Sequence, residues 1–366
     1  MKKQTTKLKA ISLFTGAGGM DVGFSKAGIN VIWANELSKH AVSTYKSNHP
    51  NTTIVEGSIT DNLHLIPNEA LDCVFGGPPC QGFSVAGKMD ANDPRSKLVF
   101  DFMGIVASKM PTCFVMENVK ALAKLDKFQI IREELLRTAN KLGYTAAFYL
   151  LNAKDFGVPQ SRERVFFVGF KTSFGAHMTL EHLNKYKKTP PPMIDIFRKL
   201  GKAGTEKNPL TCKAKITIAE KPILRRSPYA GMLFNGLGRP LNLSGVSCTL
   251  PASMGGNKTP IVDEGFIFDE MENWVEDHHR KVMNKVVESE FGDAPSQLRR
   301  ITLKEAALIQ TFPADFIFAG PTSSQYTQIG NAVPCLLAEA VGRAVVDVFN
   351  GVVHNSSSVQ SELKFL

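Results

Sequence analysis

Leu71-Asp72-Cys73-Val74-Phe75-Gly76-Gly77-Pro78-Pro79-Cys80-Gln81-Gly82-Phe83-Ser84 runs from an apolar stretch into two glycines and two prolines. A segment ending this way can neither continue as sheet nor turn directly into helix, so it predicts a strand whose exit holds the next residue on a constrained loop. That residue is Cys80. A free cysteine most often fills space as a small apolar side chain. A buried structural cysteine has no need of Pro-Pro before it and Gln-Gly-Phe-Ser after it, whereas a nucleophile needs exposure and a fixed direction of approach.

Outward from this strand, the first 170 residues alternate short apolar runs with amphipathic stretches, as βα units do. Strands are expected at 10–14, 31–34, 53–55, 71–75, 113–116, 146–151 and 165–170. Helices are expected at 38–45, 98–110 and 127–142, the last stopping before Gly143 as a C-terminal glycine requires. The pattern predicts an α/β fold with a doubly wound, mostly parallel sheet, which binds ligands outside the carboxyl ends of its strands. From Thr172 it decays into Pro-, Gly- and Lys-rich sequence with a Pro190-Pro191-Pro192 run, and few periodic segments recur before 269–287. A second, smaller domain of irregular and β structure is expected there. Thr302-Leu303-Lys304-Glu305 is a capping box opening a helix through Gln310, 335–349 reads as an apolar helix, and the tail at 355–358 is expected to fray. The expected division is a first domain over 1–170, a second over 171–297, and a segment 298–366 packing back on the first.

Apolar residues make up 43% of the chain and charged residues 21%, as in ordinary globular proteins. No apolar run approaches the roughly 18 residues that span a bilayer, and Lys7 and Lys9 interrupt the N-terminus too early for a signal peptide. A cytoplasmic protein with no membrane partner is expected. Six cysteines lie singly, without a C-x-x-C pair, which suggests reduced thiols and no metal site. The formal charge is +9, and residues 181–230 carry 12 Lys or Arg against four acids, hence +8 of it. A solvated lysine-rich face is one reading of such a run; its concentration in one segment favours a polyanionic partner.

Three further constellations carry chemistry. Phe14-Thr15-Gly16-Ala17-Gly18-Gly19-Met20-Asp21 follows the first strand and opens a helix, so its glycines let backbone N–H groups approach a ligand. Read as a dinucleotide loop from Gly16, its third glycine position holds Asp21, which spoils the packing role of that residue. Glu36, 20 residues after Gly16, can accept hydrogen bonds from both hydroxyls of a ribose. Glu117-Asn118-Val119 follows the strand at 113–116 and leaves the sheet on the same edge as Cys80. A carboxylate there either is simply solvated or, if burial raises its pKa, protonates or holds a ring nitrogen. In Gln160-Ser161-Arg162-Glu163-Arg164 the two arginines, spaced i, i+2, face the same way, which suits either a surface ion-pair ladder or a clamp on a phosphate or base carbonyl.

Together with Ala34-Asn35-Glu36, Gly77-Pro78-Pro79-Cys80-Gln81, Arg300-Ile301-Thr302-Leu303-Lys304-Glu305 and Gln328-Ile329-Gly330-Asn331-Ala332-Val333-Pro334, these motifs stand in the order seen in DNA (cytosine-5) methyltransferases of the bacterial and phage restriction-modification type, which the chain resembles at both ends. The resemblance leaves out 171–297, where that family has its variable recognition domain. It implies S-adenosylmethionine as cofactor, held by Phe14, Gly16, Ala17, Gly19, Glu36, Leu37, Ser58, Pro78, Asn331, Ala332 and Val333. Ser58 stands where the family usually has an acid that reads the adenine amino group. The resemblance further implies Cys80, Glu117, Arg162 and Arg164 as the catalytic set, and Gln81, Ser84, Arg95, Thr249 and Arg299 as contacts to double-stranded DNA. Cys80 would add to C6 of a flipped-out cytosine, Glu117 would protonate or hold N3, Arg164 would meet the base carbonyl, and the stretch 84–97 would close over the target. It also implies a monomer working beside a restriction endonuclease. Alternatives left open are the same chemistry on RNA, a catalytically inactive DNA-binding module, and a dehydrogenase, the last opposed by Asp21 and Pro-Cys-Gln.

Overall fold

The computed structural model describes residues 7–79 and 97–351. Cys80, Gln81, Ser84 and Arg95, the closing stretch up to residue 96, and the tail at 355–358 therefore lie outside the described residues. All seven expected strands form, as β1 Leu8–Leu13, β2 Ile29–Glu36, β3 Thr53–Glu56, β4 Cys73–Gly76, β5 Cys113–Val119, β6 Tyr144–Asn152 and β7 Glu163–Lys171. They make one sheet in the order β3-β2-β1-β4-β5-β7-β6. The β1–β2, β1–β4, β2–β3 and β4–β5 pairs are parallel. β7 runs against both β5 and β6.

The chain first builds outward from β1 to β3 and then returns to β4, so strand order reverses between β1 and β4. The crevice beyond their carboxyl ends is the natural ligand site of such a sheet. The loop opening at Phe14 and the exit at Gly77 flank it. β4 is buried throughout and β5 through Met116, and their Val74, Phe114 and Met116 join a core with Phe102, Phe128 and Phe167. Continuous apolar runs of this kind mark strands covered on both faces. The covering helices are α1 Gly19–Lys26, α2 Lys39–Asn48, α3 Leu98–Lys109, α4 Lys120–Lys124, α5 Gln129–Lys141 and α6 Leu180–Asn184, with a C-terminal helix over Cys335–Phe349. The helix-packing glycine absent at Asp21 is found at Gly23, where a Cβ would come within 2.4 Å of Glu339 N and 2.6 Å of Cys335 O. α1 and the C-terminal helix thus meet backbone to backbone.

By compactness the chain divides into a first unit of 1–156, 162–188 and 333–366, and a second of 157–161 and 189–332. This differs from the expected boundaries in where 298–332 belongs. The second unit contains α7 Met193–Leu200, β8 Thr217–Ile223, β9 Met232–Phe234, β10 Ile261–Asp263, α8 Glu264–Phe268, α9 Trp274–Met283, β11 Gly292–Asp293, β12 Leu298–Arg300, α10 Leu303–Ile309 and α11 Thr322–Asn331. β12 pairs with β10, and Asn208 donates to Glu305 Oε1 at 3.0 Å, so the 298–310 segment is bonded into the second unit. Only the segment from Val333 onward joins the first unit. Among the described residues no helix is long and apolar enough to cross a membrane.

Candidate active site

β4 and β5 are in register, Gly76 against Met116, so their exits lie side by side. A Cβ on Gly77 would fall 2.9 Å from Glu117 Oε2, so glycine lets the backbone leaving β4 lie against that carboxylate. Buried Asn118 ties the same two strands together, its Nδ2 donating to Pro78 O at 3.2 Å while its Oδ1 accepts from Val119 N at 2.9 Å. Nothing in the local sequence assigns Asn118 this role.

Since β7 is antiparallel to β5, its beginning lies at this edge. Arg164 sits opposite Val119, two residues beyond Glu117 on the same face, which makes their contact a diagonal cross-strand pair. Arg164 Nε is 2.9 Å from Glu117 Oε1, with the two side chains 15% and 12% exposed. Arg164 Nη1 also donates to Glu163 O at 2.8 Å, and Lys120 Nζ pairs with Glu163 Oε2 at 2.7 Å. Arg162 is buried. Burial pushes the Glu117 carboxyl above the usual carboxylate range, opposed by Arg164 and then by Arg162. The outcome is a fixed carboxyl that holds a proton to higher pH than a solvated one.

At the neighbouring exit, Phe14 and Gly16 take φ of +54° and +57°, and Gly18, with φ +85°, is the N-cap of α1. Glu36 Oε2 accepts from Gly16 N at 2.8 Å and Oε1 from Ser38 N at 2.8 Å. Glu36 thus anchors the loop as well as facing the site, and each oxygen keeps further acceptor capacity. Leu37 is 72% exposed beside it. Gly57 N donates to Glu36 O at 3.0 Å, which brings Ser58 alongside, its Oγ 2.7 Å from Thr60 Oγ1. A Cβ on Gly16 would meet nothing within 4 Å, so the loop opens on free space. Ala17, Gly19, Pro78 and Val333 are buried in the same unit. An open loop, an acceptor for ribose hydroxyls and an apolar side chain for a base fit an adenosine cofactor. Under the loop, Asp21 is fully buried and accepts from Thr15 Oγ1 at 2.6 Å and from Tyr45 OH at 2.8 Å. Against a glycine template Asp21 reads as a defect, and the network it anchors is not visible in the sequence.

The remaining site residues fall in the second unit. Thr249 Oγ1 donates to Ser161 O at 2.9 Å and Leu250 N to Gln160 Oε1 at 3.0 Å. Gln160 Nε2 donates to Gln310 Oε1 at 3.0 Å, and Gln310 Nε2 to Ile329 O at 2.7 Å. These two fully buried amides fasten the Thr249-Leu250 dipeptide. Asn331 is exposed, and Ala332 O accepts from Gln310 Nε2 at 3.3 Å. Arg299 is engaged within its unit: Nε lies 2.8 Å from Glu264 Oε1 and Nη2 2.7 Å from Glu305 Oε1. A guanidinium held by two carboxylates is a structural clamp.

The basic segment also divides. Lys185, Lys187 and Lys188 belong to the first unit, where Lys185 pairs with Asp347 at 2.8 Å. In the second unit Lys202 is paired with Asp269 and Lys215 with Asp293. Lys221, Arg225 and Arg226 are exposed and make no ion pair among the described residues.

The profile of the C-5 cytosine-specific DNA methylases matches residues 8–347. The chain is similar to Type II methyltransferase M1.HphI of Haemophilus parahaemolyticus, 33% identical over 356 residues that cover 93% of this chain and 87% of that protein. It is also similar to Type II methyltransferase M.NgoPII of Neisseria gonorrhoeae, 32% identical over 345 residues covering 92% and 95% respectively. The crystal structure of S. pombe Dnmt2 methyltransferase shares the fold, with a TM-score of 0.65 and 16% identity over 95% of this chain and 100% of that one. Likeness that runs the length of both units, over a sheet edge carrying Glu36, Glu117 and Arg164, makes this chain a member of the C-5 cytosine-specific DNA methylase family, a DNA (cytosine-5-)-methyltransferase.

Proposed function

We propose that the enzyme methylates C5 of a cytosine turned out of a specific duplex sequence, through a bond between Cys80 Sγ and C6. C5 of cytosine is a poor nucleophile. A thiolate adding to C6 moves the C5–C6 π electrons toward C5, while Glu117 places a proton or hydrogen bond on N3. S-adenosylmethionine, held by the Phe14–Gly19 loop and Glu36, supplies the methyl group as a sulfonium. Loss of the C5 proton to a base then restores the double bond and expels the thiolate. Arg164 fixes Glu117, with Arg162 adding positive charge behind it. The single observation that carries this reading is the partly buried Glu117–Arg164 pair with Glu117 lying against Gly77, because the chain passes from there through Pro78 and Pro79 straight to Cys80.

Transfer of a labelled methyl group should be seen to C5 of cytosine within one short duplex sequence. Transfer to tRNA and not to duplex DNA would overturn the DNA reading. The Type II names of the relatives support a protective role beside a restriction endonuclease.

Glu36→Ala should weaken cofactor binding by about 1.5–3 kcal/mol, the range for a hydrogen bond to a charged group, and leave DNA affinity nearly unchanged. Calorimetric titration checks this, and an unchanged cofactor affinity removes Glu36 from the site. Neutralising Lys221, Arg225 and Arg226 to Gln should flatten the salt dependence of DNA binding by about 0.9 for each phosphate no longer neutralised, with sequence preference largely retained. An unaltered slope makes this run a solvated face.

A further inference from the structure

Arg300 is 2% exposed, and a guanidinium stays charged at any pH a folded protein meets. Among the described residues its hydrogen bonds go to carbonyl oxygens: Nη1 donates to Thr259 O at 2.6 Å, and Nε to Ala214 O and Nη2 to Lys215 O at 3.4 Å each. No carboxylate among those residues stands within ion-pair distance of it. Two other guanidiniums are provided for differently. Arg299, its neighbour on β12, is held between Glu264 and Glu305. Arg132 closes the end of α4 through Leu122 O and Leu125 O, at 3.0 and 2.9 Å, and Asp126 and Glu133 add negative charge around it. For Arg300 burial weighs against the charge and no carboxylate offsets it.

A buried cation without an anion is costly, and long bonds to carbonyls repay only part of that cost. Arg300 also lines a cavity of about 280 Å³ in the second unit, between the chain that enters β8 and the chain that leaves β11. A Cβ on Gly238 would fall 2.2 Å from Arg300 Nη1, so backbone lies against the guanidinium and holds it in this place. Lys213, Lys215 and Ser296 line the same cavity and are exposed. Lys215 pairs with Asp293 at 2.9 Å, whereas Lys213 makes no ion pair among the described residues. The lining thus brings Arg300, Lys213 and Lys215 against the one acid Asp293, with the charge of Arg299 already met by its two carboxylates. We propose that this cavity is an anion site that takes a phosphate group. Its volume falls short of the roughly 300–1,000 Å³ of sites for drug-sized ligands, which suits one ionic group. Cations reaching in from separate chain segments suit a tetrahedral oxyanion, and the forked guanidinium suits two of its oxygens. The phosphate is either a diester of the duplex backbone, in which case the site rests on the DNA reading above, or a free phosphate group, which needs no such reading.

The test is calorimetric titration of inorganic phosphate into the whole protein at low ionic strength, which should show one saturable site. Lys213→Gln should weaken it about fivefold, the worth of one solvated charge pair at contact. Lys187→Gln makes the same change of charge in the first unit and should leave phosphate affinity unaltered. Arg300→Met should weaken it about 10–100-fold, as loss of a hydrogen bond to a charged group does. Should that variant fail to fold, Lys213→Gln, at an exposed position, carries the test. The salt dependence of duplex binding then separates the two sources. A slope lowered by about 0.9 in Lys213→Gln assigns the phosphate to the duplex backbone, and an unaltered slope beside weakened phosphate binding assigns a free phosphate group. Absence of saturable phosphate binding in the wild type, or equal weakening by Lys213→Gln and Lys187→Gln, overturns the site and leaves Arg300 a strap between chain segments. A wild-type protein that takes phosphate but no duplex overturns the DNA reading and not the site.

Discussion

Duplex DNA carrying 5-fluorocytosine at the target should accept one methyl group and then stay joined to the enzyme. Fluorine cannot leave C5 as a proton does, so the elimination that frees the thiol is blocked and the adduct accumulates. It should need S-adenosylmethionine for full formation, and peptide mass mapping should place it on Cys80 rather than on any of the other five cysteines. Cys73, Cys113 and Cys335 are buried, and burial pushes the thiols of Cys113 and Cys335 up, which suppresses the thiolate. Cys80→Ala should form no adduct and lose methylation by roughly 10⁴-fold or more, as when other nucleophiles are deleted. It should still bind DNA. Methylation surviving in Cys80→Ala, or an adduct elsewhere, ends the proposed mechanism.

Glu117→Gln should keep the shape of the site and lose the acid, lowering turnover by about 10²–10⁴-fold and slowing adduct formation with it. The pH dependence separates this from a packing defect. Because its pKa lies above the usual range, Glu117 holds its proton to higher pH than a solvated glutamate and loses it as pH rises through that value. Wild-type turnover should therefore fall on the alkaline side. Arg164→Gln removes the strongest charge drawing that pKa down, so the alkaline limb should move to higher pH even as the rate drops. In Glu117→Gln the limb should vanish. A limb found unchanged in both variants belongs to another group.

The sheet is legible in the sequence because its strands are buried on both faces, and a run such as Cys113-Phe114-Val115-Met116 has few other fates. The antiparallel course of β7 is not legible. Nothing local in Val165-Phe166-Phe167-Val168 states direction, yet that course brings Arg164 to Glu117. α7 escapes because its buried face is two residues, Met193 and Phe197, behind a proline run that reads as loop but serves as its entry, with Pro192 as N-cap. α11 is polar over Thr322-Ser323-Ser324-Gln325 and shows no stripe until Tyr326. At the candidate site, the positions of Glu117 and Glu36 at strand ends are legible because each follows an apolar strand run. The ion pair of Arg299 is not legible, since its partner Glu264 lies 35 residues away and pairing of β10 with β12 brings them together. Asp21 looks like a defect because a glycine template measures what is missing, whereas the structure shows what the aspartate bonds to.

The backbone contact between α1 and the C-terminal helix has a consequence for biosynthesis. The ribosome delivers α1 near the start of the chain and its partner near the end, so at about 5–20 residues per second α1 waits roughly 15–60 s for the helix that covers it. During that interval the segment around Gly23 has no cover from Cys335 and Glu339, and the whole of the second unit is synthesised. The second unit can thus be complete before the first. A chain ending between residues 332 and 335 would hold all of the second unit and an unfinished sheet domain, whose uncovered apolar surface is open to chaperones and proteases.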